Sequence, residues 1–454
     1  MRRRTLFMTM AGGLFTLVAG VGTFLTVAPP DILKLGDSYA AKVVCSSLFV
    51  AGRNASEVLA DDVQAPGHPL LRFIRVSVDE QRKTVTARMF GFAAPGHAIF
   101  RDGLGCSNVT DGAFAAFPGN RSLRRRSLEP DTTQPWPDGG ALVADAGVQA
   151  LIDDDRRAGP GMRGIVVVRD GRIVAERYGR GFYVSTPLLG WSMTKTVTAA
   201  LIGLRVRDGQ MALDKADLLP QWRNDERSRI TLSDLLGMQS GLSFNESYGS
   251  VTDATRMLFL ENDMAAYAAS KTLDTAPGTQ FSYSSGTTVI LSRLWMNSFA
   301  SPREALTFPR ASLFRPLGMS SAILEPDAHG TFVGSSYMYA TARDWARFAL
   351  FLLQDGAWNN EQILPADYVR QMRTATSASN GRFGSGQVWM KTGPEAQGFP
   401  SDAYWMRGHD GQSILLVPSM KLAVIRLGLT PRQMGYDDST LHRDIIAALS
   451  KPQP

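Results

Sequence analysis

Strand-like segments stand at both ends of the stretch from Ala141 to Leu449, with a helical middle between them. Near its start, Ile165–Val168 and Arg172–Tyr178 flank Asp170-Gly171, a pair strongly favoured in hairpin turns. Far downstream, Ser385–Met390, Ala403–Arg407, Gln412–Val417 and Leu422–Leu427 read as strands. A closing helix over 438–449 then sets Leu441, Ile445 and Leu449 on one face. Residues from about 210 to 380 are rich in helix and loop signals. This order demands a sheet built from both ends of the stretch. The expected class is α/β (α+β): an antiparallel sheet flanked by helices, with a mostly helical region inserted.

At 454 residues the chain has room for a large core and for two or three domains. Residues 42–117 read as a small accessory module. In it, Leu71–Val78 and Thr84–Phe92 alternate apolar with polar residues around Asp79-Glu80-Gln81, predicting a β-hairpin. Residues 118–140 (PGNRSLRRRSLEPDTTQPWPDGG) read as a linker, and 141–454 as the main domain. Cys45 and Cys106 are the only cysteines. In an exported protein they are candidates for a disulfide closing a loop of about 60 residues. Two buried free thiols are the alternative.

Residues 1–30 suggest export. Arg2-Arg3-Arg4 precede an uncharged run from Thr5 to Pro30. About 20 apolar residues span a bilayer as a helix, and cationic flanks keep that end in the cytoplasm. The expectation is an N-terminal membrane helix holding the protein at the periplasmic face of the inner membrane. A cleaved signal peptide is the rival, but its apolar core runs only about 7–15 residues. The tidy cleavage site, Ser38-Tyr39-Ala40, lies well past the run. The net charge of +6 does not imply nucleic acid, because the basic residues are scattered apart from Arg2–Arg4 and Arg124–Arg126.

The chemistry centres on Ser192-x-x-Lys195, which opens an apolar helical segment. Residues three apart share a helix face, so the lysine can reach the hydroxyl. The helix N-terminus supplies N–H donors and positive potential for an oxyanion. Burial there lowers the lysine pKa, which suits a general base. No other lysine has a serine three residues before it. Tyr283-Ser284-Ser285 follows about 90 residues later, and a tyrosine beside a lysine can relay protons to a leaving group. Tyr-x-Ser also occurs at Tyr183 and Tyr248, so position selects Tyr283.

Ser192-Met193-Thr194-Lys195, Leu235–Leu242, the Tyr283 triplet and Gly408-His409-Asp410-Gly411-Gln412 together resemble the serine β-lactamase and penicillin-binding-protein superfamily. The likeness runs from about Ala141 to Leu449 and is greatest to the class-C-like esterase branch that includes 6-aminohexanoate-dimer hydrolase. It implies an acyl-enzyme on Ser192, with Lys195 and Tyr283 moving protons and Ser285 holding their network. Phe244-Asn245-Glu246-Ser247-Tyr248 is similar to a stretch of that branch, which makes Tyr248 a candidate for substrate contact. A ring packed on its own loop is the plainer reading of Tyr248. At the third motif, His409 stands where lactam-binding relatives carry lysine, Gly411 leaves room beside the strand, and a backbone N–H near Gln412 joins that of Ser192 as oxyanion hole. Lys391-Thr392-Gly393 resembles the usual third motif, but Pro394 after it suits a turn rather than an edge.

Other classes fit less well. Position 194 is Thr, so Ser192 is not in a Gly-x-Ser-x-Gly elbow. His409 and Asp410 are expected on a strand, pointing to opposite faces and unable to pair. Five histidines lack metal-type spacing. The expected protein is a serine hydrolase needing no cofactor. Its substrates rank as small esters or amides first, then D-amino-acid peptides, then β-lactams. A non-catalytic binding protein retaining the fold is the alternative from another class.

Overall fold

The computed structural model describes residues 19–20, 22–112 and 133–450, which divide into two compact units. One unit contains the described residues up to Arg101, the segment from Cys106, and an excursion of the later chain, Ser247–Asn262. The other contains Asp102–Gly105, the described residues up to Glu246, and everything from Asp263.

In the first unit, helix α1 (Asp31–Phe49) lies on a sheet of β1 (Ile74–Asp79), β2 (Thr84–Met89), β3 (Ala93–Arg101) and β4 (Gly105–Asn108), in that order. Ala40, Ala41, Val44 and Cys45 of α1 are fully buried against Ile74, Val85, Ala87 and Ala98. The β1–β2 hairpin pairs Ile74 with Met89 through Asp79 with Thr84. Its predicted first strand is shorter than expected, because Pro69–Phe73 forms a 3-10 turn instead. A disulfide joins Cys45 to Cys106. The excursion contributes a helix, Asp253–Leu260, whose Phe259 packs edge-on to Tyr39 of α1 at 5.4 Å. Ser38-Tyr39-Ala40 therefore sits in mid-helix, with Ala40 wholly buried, and cleavage there would sever the core of this unit. Most of the Thr5–Pro30 run, and Arg124–Arg126, lie outside the described residues. Among the described residues, no helix is long and apolar enough to cross a membrane.

The second unit is built on the sheet that the strand order demanded. Helix α2 (Ala146–Asp153) precedes the hairpin β5 (Met162–Arg169) and β6 (Arg172–Tyr178). The chain returns through β7 (Phe383–Gly384), β8 (Val388–Trp389), β9 (Tyr404–Gly408), β10 (Gln412–Val417) and β11 (Leu422–Gly428). The sheet order is β7-β8-β9-β10-β11-β5-β6, so the late β11 pairs antiparallel with the early β5. Strands β10 and β11 are buried along their whole length, without polar alternation, because helices cover both faces. On one face, Val148 and Ile152 of α2 and the closing helix pack on Val167, Leu415 and Val424. That closing helix spans Ser439–Leu449 and buries Leu441 and Ile445, as its spacing predicts. Each such aliphatic side chain contributes about 1.5–3 kcal/mol by leaving water. A charge at Val424 would find no partner in this layer and would cost several kcal/mol.

Between the strand groups lie helices α3 (Thr194–Arg207), α4 (Ser285–Asn297) and α5 (Ala342–Leu353). Helix α3 is buried from Thr194 to Arg205, which explains its small and apolar residues on every side. Helix α5 starts at Thr341, whose hydroxyl accepts the Asp344 N–H, and its apolar face covers β5 and β11. The predicted strand Ser385–Met390 shrinks to β8, because Gln387 takes φ +57° in the tight turn after β7.

Candidate active site

Ser192 lies in a 3-10 turn, Trp191–Met193, and α3 begins two residues later at Thr194. The serine therefore stands ahead of the helix rather than within it, half-buried and reachable. Trp191 holds φ +48°, a left-handed conformation that costs a bulky residue roughly 1–3 kcal/mol. Packing compensates: its ring lies 6.4 Å from that of Tyr337 and edge-on to His409 at 5.4 Å. Gly190 anchors the turn, donating its N–H to the Met338 carbonyl at 2.9 Å. A side chain at Gly190 would collide with the Trp345 ring.

One turn into the buried face, the Lys195 ammonium meets three oxygens. Its Nζ is 3.0 Å from Ser192 Oγ, 3.0 Å from Ser285 Oγ and 3.1 Å from the Ser335 carbonyl. It also lies 4.8 Å from the centre of the Tyr283 ring. The side chain is fully buried, and that burial lowers the Lys195 pKa to about 8, with the Glu246 carboxylate pulling the other way.

Glu246 is the residue to which the sequence assigned no role, although it lies within the quoted stretch Phe244–Tyr248. Its carboxylate accepts the Ser285 hydroxyl at 2.5 Å and the Ser285 N–H at 2.7 Å. Burial raises its pKa, while Lys195, Ser285 and His409 oppose the rise. A loop glutamate offers no periodicity to read, and only the fold brings it beside the start of α4. Tyr283 precedes that helix start, tilted against Trp389 at 5.1 Å and edge-on to Phe383 at 5.9 Å. Burial first, then the Glu246 charge, push its phenol pKa well up, against a hydrogen bond with Ser192. Tyr283 is thus a neutral phenol over the working pH range.

The third side comes from the end of β9. Gly408 packs so closely that a Cβ there would sit 2.4 Å from the Gly190 carbonyl oxygen, so only glycine fits beside the nucleophile turn. His409-Asp410-Gly411 then form a 3-10 turn, not a strand, with Asp410 at φ +56°. The expectation that His409 and Asp410 face opposite ways is therefore wrong, since a turn lacks strand alternation. His409 Nε2 lies 3.3 Å from Asp410 Oδ1. Gly411 sits under the Arg426 guanidinium, which its carbonyl accepts at 2.8 Å. Gln412 ties the turn together: its amide donates to the His409 and Asp410 carbonyls and to that of Gly428, and its oxygen accepts the Gly428 N–H. Both β9 and β10 pack against the turn that holds Ser192. Lys391 lies just past β8, with its Nζ 2.6 Å from Ser439 Oγ, and Gly393 opens a 3-10 turn, as Pro394 suggested. Tyr248 belongs to the first unit.

Among the described residues no group of His, Cys, Asp and Glu could hold a metal ion. The arrangement comprises a half-buried nucleophile, a buried amine against it, a phenol on the same hydroxyl, and a carboxylate behind.

The family model described as Beta-lactamase matches residues 147–447, well over half of the chain. No curated protein matches it. Among solved structures, the chain is similar to a "Putative 6-aminohexanoate-dimer hydrolase from Bacillus anthracis" at 21% identity and TM-score 0.59, covering 72% of this chain and 92% of that one. It is similar to a penicillin binding protein from Bacillus halodurans at 15% identity and TM-score 0.52, covering 66% and 99%. A penicillin-binding-protein homolog from Caulobacter crescentus aligns at 17% identity and TM-score 0.52, covering 67% and 97%. At these identities the likeness to solved structures is one of fold.

Proposed function

The chain belongs to the Beta-lactamase family, and on that premise we propose a serine hydrolase that cleaves ester or amide bonds through an acyl-enzyme on Ser192. The observation that carries this reading is the contact of Lys195 Nζ with Ser192 Oγ at 3.0 Å.

A neutral lysine has two N–H bonds and one lone pair. The Ser335 carbonyl can only accept, so it takes one N–H. Ser285 commits its own proton to Glu246 and therefore also accepts from Lys195. Both N–H bonds are occupied, and the lone pair is left facing the Ser192 hydroxyl. Lys195 removes that proton as Ser192 Oγ attacks the carbonyl carbon. The tetrahedral oxyanion receives the Ser192 N–H and a second backbone N–H near Gln412. The proton passes from Lys195 through Tyr283 to the leaving oxygen or nitrogen, whose bond to carbon breaks. Water repeats the sequence, frees the acid and restores Ser192.

Glu246 also bears on substrate class. A carboxylate behind the nucleophile, with no lysine at the third motif, disfavours an anionic substrate. Neutral small esters or amides come first, D-amino-acid peptides second and β-lactams third. Turnover of a p-nitrophenyl ester, a chromogenic cephalosporin and a linear aminohexanoate dimer by the protein and its Ser192→Ala variant tests the proposal. Turnover lost in the variant supports it, and equal turnover in both contradicts it. We also carry forward export and an N-terminal anchor, on the Arg2–Arg4 cluster and the Thr5–Pro30 run. An exported protein whose N-terminus begins near Ala41 would overturn the anchor.

A further inference from the structure

The first unit carries an apolar knob on its sheet. Phe73, Phe90 and Phe92 are 50%, 46% and 49% exposed. They are not scattered: the Phe73 and Phe90 rings lie 5.4 Å apart, and those of Phe90 and Phe92 6.3 Å. The knob is built in. The Phe90 N–H donates to the Phe73 carbonyl at 3.0 Å, and Phe90 holds φ +55° in the β2–β3 turn. That conformation is costly for an aromatic residue.

Charge surrounds it. Arg75 of β1 stands directly opposite Arg88 of β2, on the face away from α1. Like charges across a strand pair are destabilising. Arg72 is exposed just before Phe73. Among the described residues, none of these three arginines makes a salt bridge, and the Arg75 guanidinium donates only to the Arg72 and Ile74 carbonyls. The acid on this outer face, Asp79, sits at the far end of the hairpin with Arg82. Burial first, then the charge of Arg88, hold the His97 pKa down. The same unit leaves Phe24 and Val27 exposed, in the helical turns that lead to α1.

We propose that Phe73, Phe90 and Phe92, rimmed by Arg72, Arg75 and Arg88, form a docking surface for an anionic phospholipid bilayer. The rings enter the boundary between headgroups and acyl chains, and the arginines meet lipid phosphates. An anionic membrane accounts for both features at once, the exposed aromatics and the facing arginines that make no salt bridge. Single-stranded nucleic acid also pairs arginine with aromatics, but it needs separated rings with free faces. Here the rings pack on one another.

Lipid quenching of a reporter inside the knob tests this without interference from the N-terminal run. Full-length protein carrying Phe90→Trp is added to vesicles of phosphatidylcholine, with or without phosphatidylglycerol, containing doxyl-labelled lipid. The expected result is quenching beyond that of the wild-type tryptophans, only with phosphatidylglycerol, and weakened by salt. Adding R72Q, R75Q and R88Q should weaken partition about fivefold per arginine. Ser77→Ala, on the same face, should change nothing, and an unchanged reductant-sensitive unfolding midpoint reports that the first unit of each variant is folded. Absence of quenching, equal quenching without phosphatidylglycerol, or quenching insensitive to the three arginines would overturn the proposal. So would binding of a single-stranded oligonucleotide, or lipid-free self-association lost in F73S/F90S/F92S.

Discussion

The Glu246 carboxylate grips Ser285 at two points, taking its hydroxyl at 2.5 Å and its backbone N–H at 2.7 Å. This fixes the direction of the Ser285 proton and, through it, the direction of the Lys195 lone pair. The lysine burial sets its basicity; the glutamate sets its aim.

Glu246→Gln therefore acts on both rate and pH. The negative charge raises the Lys195 pKa against burial, so its removal lowers that pKa below about 8. The acid limb of kcat/KM should move to lower pH, while kcat falls on the order of 10- to 100-fold as the amine loses its alignment. Ser285→Ala should lower kcat similarly with the acid limb less displaced, because Glu246 keeps its charge. An unchanged pH profile in Glu246→Gln would separate Glu246 from the base.

Tyr283→Phe removes one hydroxyl and keeps the contacts with Trp389 and Phe383. The expected loss is about 10²- to 10⁴-fold in kcat, the range for a positioned proton donor. The melting temperature should hold, since the ring stays. The loss should be smaller for an activated ester with a good leaving group, which needs no proton. Equal losses for aryl ester and amide would remove Tyr283 from the leaving-group step.

A buried carboxyl in the first unit makes stability depend on pH. Asp37 accepts the Met89 N–H at 2.8 Å, but its other oxygen has no partner, and burial raises its pKa to about 7. The unfolded value is about 3.9, so the folded state holds a proton that the unfolded state has lost between these limits. Stability from this group is complete below about pH 4 and is lost as pH rises through 7. The loss is on the order of 3–4 kcal/mol. Asp37→Asn, which stays neutral, should flatten denaturant midpoints between pH 5 and 8; a wild-type slope retained in the variant would contradict this.

The Cys45–Cys106 disulfide spans 61 residues, and closing a loop of that length restricts the unfolded chain by about 4 kcal/mol on the chain-entropy account. Reductant, or the Cys45→Ser/Cys106→Ser pair, should lower the unfolding midpoint of the first unit. The second unit contains no cysteine, and its own midpoint should not move with reductant.

Much of this was legible in the sequence because it is local or ordered along the chain. Asp170-Gly171 marks the β5–β6 turn, and the late apolar runs mark β10 and β11, so their meeting in one sheet follows from connection rules. Ser192 and Lys195 are three residues apart, and the 3-10 turn running into α3 brings them together at short range. The parts that escaped are tertiary. Glu246 reaches Ser285 across 39 residues, and the Ser335 carbonyl reaches Lys195 across 140. No spacing rule announces a backbone acceptor. His409-Asp410 looked like strand because apolar residues follow closely, but Asp410 takes a left-handed turn that its short polar side chain tolerates. The assignment of Ser247–Asn262 to the first unit likewise depends on packing, such as Phe259 on Tyr39, that no local pattern encodes.

The central claim is that Ser192 is a nucleophile served by Lys195, and covalent labelling tests it most directly. The full-length protein is treated with a fluorophosphonate across pH 6–10, and the modified peptide is identified by mass spectrometry. The account predicts one adduct, on Ser192, formed at a rate that rises with pH through about 8 as Lys195 loses its proton. The adduct should vanish in Ser192→Ala and form far more slowly in Lys195→Met. Folded protein that takes no label, takes it elsewhere, or labels Ser192 equally fast without Lys195 would contradict the account.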